Sequence, residues 1–233
     1  MNMKIIGLIG GMSWESTAEY YRIINEAVRD KLGGLHSAKI VMYSVDFEEV
    51  EQLQHKGEWD KATNLMIDAA KRVERGGGDF VLICTNTMHK MADDVAANIS
   101  IPLLHIADAT AEKITSLGLK RIGLLGTKFT MEQDFYKGRL KQKFGIDVVI
   151  PNEPDREIVH NVIYKELCLG EIKDSSREQV KAIINRLSDN GAQGIILGCT
   201  ELPLLIKQAD YPVPLFDTTI IHAKAAVDYA LQD

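Results

Sequence analysis

Four short segments rich in glycine and hydroxyl side chains hold the residues of this 233-residue chain best suited to chemistry: GGMSWEST at 10–17, TNTMH at 85–89, GTKFT at 126–130 and CTELP at 199–203. Cys199 follows the apolar run IIL and precedes an expected helix start. At such a strand-to-helix turn, N–H dipoles lower a thiol's pKa and prepare it as nucleophile or base. A buried structural cysteine is the plainer reading of an isolated Cys; the position just after a strand weighs toward the reactive one. At the matching place in the first half stands Thr85, followed by Asn86, Thr87 and His89. Thr85 and Asn86 also read as an ordinary helix N-cap, and symmetry with Cys199 favours a ligand-facing role. Cys84, one residue earlier, points to the opposite face of its strand and is expected in the core.

The remaining candidates are weaker. GLIGGMSWEST lacks the third spaced glycine and the later acidic residue of a dinucleotide fingerprint, with Trp14 and Glu15 at the critical turn. Gly10 and Gly11 instead suit close backbone approach, with N–H groups at a helix start that would attract a small carboxylate. His89 falls early in a helix, where an imidazole usually serves its neighbours, and the other histidines show no ligand spacing, so no metal site is expected. Three cysteines at wide spacings build neither a disulfide framework nor a zinc set. Cys168 on an amphipathic stretch is expected in the core, and Trp14 and Trp59 read as packing residues.

The elements that must position these segments are legible as an alternation. Apolar runs bounded by glycine (KIIGLIG at 4–10, KIVMYSV at 39–45, DFVLICT at 79–85) alternate with amphipathic stretches such as EYYRIINEAVRDKL and DKATNLMIDAAKRVER. Strands that read as nearly unbroken apolar runs are those covered on both faces by helices, so a parallel sheet follows. The order then restarts with RIGLLGT at 121–127, DVVIP at 147–151 and GIILGCT at 194–200, with TMEQDFYKGRLKQKF, DREIVHNVIYKELCL and SSREQVKAIINRLSDN as helical stretches. Residues 6–10 match 122–126 at an offset of 116, and 77–85 match 191–199 at an offset of 114. Two matches nearly in register argue for duplication. The expected fold is α/β: two pseudo-symmetric three-layer αβα lobes with mainly parallel sheets and an active site in the cleft between them, where the four loops at the strands' carboxyl ends gather. Residues 1–108 plus 210–233 form the expected N-terminal lobe, the last helix returning to it, and 109–209 the C-terminal lobe.

Composition narrows the class. The chain is 45% hydrophobic and 26% charged with a formal net charge of −6, which excludes a disordered protein. A pI near 5.6 without a dense Lys/Arg run makes nucleic acid a poor partner. No apolar stretch has membrane-span length and no signal-peptide core develops, so a cytoplasmic protein is expected.

GGM near the start, TNTMH in the first half and GCTEL in the second resemble the aspartate/glutamate racemase family across essentially the whole chain, with the bacterial broad-specificity amino-acid racemase branch nearest. The resemblance implies a pair of αβα lobes, often a homodimer, and catalysis without pyridoxal phosphate, metal or nucleotide. It also implies a substrate α-carbon held between two acid/base side chains, one removing the α-proton and the other returning it from the opposite face. Both positions are usually cysteine; here they carry over as Thr85 and Cys199. The family's basic residue after the second strand is missing from SVDFEEVEQLQ, and its lysine before a helix-ending glycine is replaced by Cys168. The common α-amino acid core is then the expected recognition feature, through Met12, Asn86, Thr87 and Thr200, with Gln54 contacting a polar substituent. Broad specificity is the corresponding expectation. The same superfamily resemblance leaves open a maleate isomerase or decarboxylase type of enzyme, and a homologue that binds an amino acid without turning it over.

Overall fold

Each apolar run becomes a short strand in the computed structural model, which describes residues 3–232. The strands are β1 (Ile6–Gly10), β2 (Ile40–Ser44), β3 (Phe80–Ile83), β4 (Arg121–Gly126), β5 (Asp147–Val149), β6 (Ile195–Gly198) and β7 (Leu215–Asp217). They form two all-parallel sheets, ordered β2-β1-β3 and β5-β4-β6-β7. The chain divides into two units, one running to Ile106 and resuming at Thr219, the other Ala107–Thr218.

In the first unit the two-residue period of a strand sorts side chains to opposite faces. Ile6, Leu8, Phe80, Leu82 and Cys84 pack with Tyr20, Ile24 and Val28 of the helix Trp14–Leu32 and with Ala223 and Val227 of the helix Thr218–Ala230. Ile9, Val81 and Ile83 face the other way, against Ala62, Met66, Ala69 and Val73 of the helix Trp59–Arg75. The unit is thus a helix–sheet–helix sandwich, and Cys84 is fully buried in it.

The second unit repeats several backbone bonds of the first. The amide of Asp79 donates to the carbonyl of Ile5 and that of Gln193 to Arg121, both at 2.8 Å. Val81 bridges to Leu103 and Ile195 pairs with Leu215, with the amides of Val81 and Ile195 donating at 2.9 Å to the carbonyls of Pro102 and Pro214. Leu103 therefore marks, by a single bridge, the place that β7 fills in the second unit. The glycine at the heart of each central strand is matched as well. A Cβ on Gly7 would stand 2.6 Å from the carbonyl oxygen of Phe80 and run into Val73, while one on Gly123 would stand 2.5 Å from Ile195 Cδ1 and 3.2 Å from Leu187 Cδ1. Val73 and Leu187, which cover these glycines, are offset by 114, close to the 116 that separates the glycines themselves.

Several boundaries differ from the sequence expectation. Ala107 and Asp108 belong to the second unit, where Asp108 takes two hydrogen bonds from Arg139, at 2.5 and 2.8 Å, and one from Lys143. Residues 210–218 also belong there rather than to the first unit, with β7 hydrogen-bonded to β6. The stretch 130–144 is not one helix: Thr127 caps a short helix Lys128–Glu132, Gln133 is extended (φ −83°, ψ 152°), and a second helix runs Asp134–Phe144. Likewise the helix Glu153–Lys165 stops before Glu166, and Cys168 lies on a separate 3-10 turn, Leu167–Leu169, half-buried rather than in a helix core.

Candidate active site

Cys199 sits one residue past β6 and is 8% exposed. Its thiol donates to Glu201 Oε2 at 2.9 Å, and the same oxygen accepts the Thr200 hydroxyl at 2.8 Å. The helix that follows, Leu202–Leu205, has a single turn, too little peptide dipole to hold a thiolate. Burial, followed by the nearby charge of Glu201 and then Cys168, pushes the Cys199 thiol well above its usual value. This corrects the expectation of a depressed pKa: the sulfur holds its proton and offers it to a carboxylate. Glu201, itself buried, is the partner of that thiol and a candidate site residue that sequence reasoning passed over. Its signal was its place two residues beyond the cysteine, close enough to reach the sulfur across a tight turn.

In the first unit the chain leaves β3 through Cys84 and enters a 3-10 helix, Thr87–Met91. Thr85 is half-buried, whereas Asn86, Thr87 and His89 are buried. Asn86 stands at the N-cap position without a side-chain capping bond, which removes the plain capping explanation for it. Gln54, buried at the end of the helix Phe47–His55, donates to Met88 Sδ at 3.0 Å, and Met12 shares an apolar cluster with Met88. The structure thus gathers Met12 and Gln54 around the TNTMH segment of the first unit, and Thr200 and Glu201 around Cys199 in the second.

The GGM loop departs from expectation. Gly11 has φ +94°, and a Cβ there would lie 2.7 Å from the backbone nitrogen of Val45, so only glycine fits. Its amide is not left for a ligand, since it donates to Thr17 Oγ1 at 2.9 Å, and the Ser13 hydroxyl caps the helix Trp14–Leu32. Trp14, expected as a packing residue, is exposed.

Next to Thr85, His89 serves its neighbours as its place early in a helix suggested, and it does so within a group of histidines that their spacing did not reveal. His89 Nδ1 is 2.7 Å from the Thr85 carbonyl oxygen, and its Nε2 accepts the Ile106 amide at 3.2 Å. His105 and His222 pack on its ring, with centroids 4.5 and 5.8 Å away. His222 bridges the Tyr20 hydroxyl at 2.9 Å and the Leu104 carbonyl at 2.8 Å, and burial lowers its pKa to about 4. Among the described residues no group of three or more His, Cys, Asp or Glu is arranged to hold a metal ion, and no helix is long and apolar enough to cross a membrane.

The mixed α/β fold with two parallel sheets, and a thiol paired with a carboxylate just past a strand, place the chain in a recognisable class. Residues 9–226 match the Asp/Glu/Hydantoin racemase model, and the chain belongs to that family of isomerases. It is 23% identical over 235 residues to the broad specificity amino-acid racemase RacX of Bacillus subtilis (strain 168), covering 96% of each chain. Among solved structures it resembles a candidate Asp/Glu racemase from Yersinia pestis (58% identity, TM-score 0.93, 99% of this chain and 100% of that one). It also resembles an aspartate racemase homologue from Pyrococcus horikoshii OT3 (38% identity, TM-score 0.86, 99% and 100%). At the level of the family, the chain is an amino-acid racemase.

Proposed function

We propose that this protein racemises small amino acids without a cofactor, with Cys199 as the base toward L substrates and Thr85 as the proton donor on the opposite face of the α-carbon. The observation that carries the reading is the Cys199–Glu201 contact of 2.9 Å. For the sulfur to act, its proton passes to the Glu201 carboxylate, and the thiolate then takes the α-proton. The ammonium of a zwitterionic substrate favours this transfer when it lies nearer the sulfur than the carboxylate, because the transfer moves the pair's single negative charge onto sulfur. The Thr85 hydroxyl gives a proton to the resulting carbanion and regains one from solvent. A hydroxyl is far less acidic than a thiol, so this is the slow side.

Broad substrate choice is part of the proposal. The segment 44–54 has no Lys or Arg and ends in buried Gln54, a neutral group suited to polar as well as acidic substituents. Incubation of a panel of L and D amino acids in deuterated water, with chiral analysis, tests both points. Deuterium should enter the α-position of several L substrates faster than the opposite hand accumulates, and Cys199→Ser should abolish it. Failure of every amino acid to exchange would overturn the reading, and a strict preference for aspartate would overturn the breadth. A thiol held protonated also suits one-sided proton delivery, as in decarboxylation of a substituted malonate; carbon dioxide release from such a substrate, without amino-acid exchange, would select that second reading.

A further inference from the structure

We infer that His89 is a positioning residue for Thr85: its neutral imidazole, donating from Nδ1 to the Thr85 carbonyl and accepting the Ile106 amide at Nε2, fixes the backbone from which the Thr85 hydroxyl works. The inference rests on the proposed role of Thr85 and extends it to a side chain that touches no substrate.

The tautomer follows from the partners. The Ile106 amide can only donate, so Nε2 carries no proton; Nδ1 then carries it, and points it at the Thr85 oxygen 2.7 Å away. Both ring nitrogens are engaged and the residue is 2% exposed, which leaves no lone pair for a substrate proton. The ring is held in turn. His105 stacks on it at 4.5 Å with a tilt of 57°, and His222 meets it edge-on at 5.8 Å. His222 is locked between Tyr20 of the helix Trp14–Leu32 and the carbonyl of Leu104. The line from helix to Thr85 therefore runs through rigid, buried, aromatic groups of one unit, the support a poor proton donor needs if its geometry is to compensate for its weak acidity.

The second unit makes the contrast. At the offset of 114, Pro203 stands where His89 does, and no imidazole is available; there the carboxylate of Glu201 touches the reactive sulfur itself. The thiol is tuned through its proton, whereas the hydroxyl of Thr85 is placed through its main chain.

Two variants of the full chain separate the two halves of the His89 contact. His89→Asn can put an amide N–H near the Nδ1 position and keep the bond to Thr85, while His89→Gln keeps a group near Nε2 and loses it. The readout is the ratio of inversion to α-deuterium exchange for an L substrate in deuterated water. His89→Gln should lower that ratio about tenfold or more, and His89→Asn should restore it to within about twofold of the unaltered protein. Equal, unchanged ratios in both variants would overturn the inference. Imidazole ¹⁵N shifts of His89 in the unaltered protein provide a check that needs no substitution: a protonated Nδ1 and bare Nε2 are expected, and the reverse pattern would overturn it. Absence of exchange in the unaltered protein would instead sink the racemase reading, leaving the ¹⁵N result to stand or fall separately.

Discussion

A sulfur that shares its proton with a carboxylate 2.9 Å away is not a base until the carboxylate accepts that proton. Glu201→Gln removes the acceptor and also removes a charge that holds the thiol protonated. At pH 7 the first effect dominates, because an amide cannot take the proton and burial alone still disfavours the thiolate. Exchange of an L substrate should fall about 10²-fold, the usual size of a lost acid/base group. The residual rate should then climb through the alkaline range as the thiol ionises to solvent. An exchange rate unaltered by the substitution would show that Cys199 ionises without Glu201. With Thr85 in its proposed role as the second proton-transfer group, Thr85→Cys should raise inversion several-fold, since a thiol both gives and takes protons more readily than a hydroxyl. Because enantiomers have equal free energy in water, kcat/KM rises equally in both directions, and chiral assays started from either hand check this. Reduced inversion would mark Thr85 as a residue that only orients substrate. Cys199 was legible in the sequence because a glycine-bounded apolar run announces a strand and the residue just beyond it belongs to a loop. His89 was legible only as an imidazole that serves its neighbours; which neighbours it meets, and the reach of Glu201 to the sulfur, depend on how tightly the turns wind after β3 and β6, which no periodicity encodes.

Strand glycines are where the elements press hardest on one another. Gly7 and Gly123 occupy matched places in β1 and β4, yet their surroundings differ in what can move. Against Gly7 an added methyl meets the Phe80 backbone carbonyl at 2.6 Å, an atom fixed in the sheet, whereas against Gly123 it meets the ends of the Ile195 and Leu187 side chains. Gly7→Ala should therefore cost about 3 kcal/mol, the upper end for overpacking, and Gly123→Ala about 1 kcal/mol. Urea unfolding of the two variants checks the order, and equal midpoints would contradict it. The buried strands β1, β3, β4 and β6 were readable in advance because a doubly covered parallel strand must be apolar throughout. Helix ends were not. The apolar spacing runs on through Gln133 and Glu166, where the chain turns extended or twists out of the helix, so periodicity alone merged separate pieces. The acidic helix Phe47–His55, with only Val50 and Gln54 buried, carries too little apolar pattern to be read as a helix beforehand.

Buried titratable groups across the molecule set a stability window that neither sheet determines alone. On the acid side, His222 is neutral in the fold with a pKa of about 4 against a usual 6.5. Below pH 6.5 the unfolded chain binds a proton that the native state refuses, so stability falls as pH drops from about 6.5 toward 4, by about 3 kcal/mol in all. Asp108 adds a lower limb. Burial opposes its ionisation, but hydrogen bonds from Arg139 and Lys143 prevail and hold its carboxyl below the usual 3.8, so its contribution is lost only as pH falls further. On the alkaline side, burial pushes up the thiols of Cys84 and Cys199 and the phenol of Tyr136, and raises Tyr211 to about 12. Above about pH 9 the unfolded chain releases these protons while the native state keeps them, so stability declines again as pH rises. Urea midpoints measured from pH 4 to 11 should therefore show a plateau between about 6.5 and 9 with a fall on either side. His222→Phe separates the acid groups: without the imidazole the slope between pH 4 and 6.5 should flatten, while a lower overall midpoint reflects the hydroxyl of Tyr20 and the carbonyl of Leu104 left without it. If the slope survived that substitution unchanged, the acid limb would belong to some other group, and the burial of His222 would not be its cause.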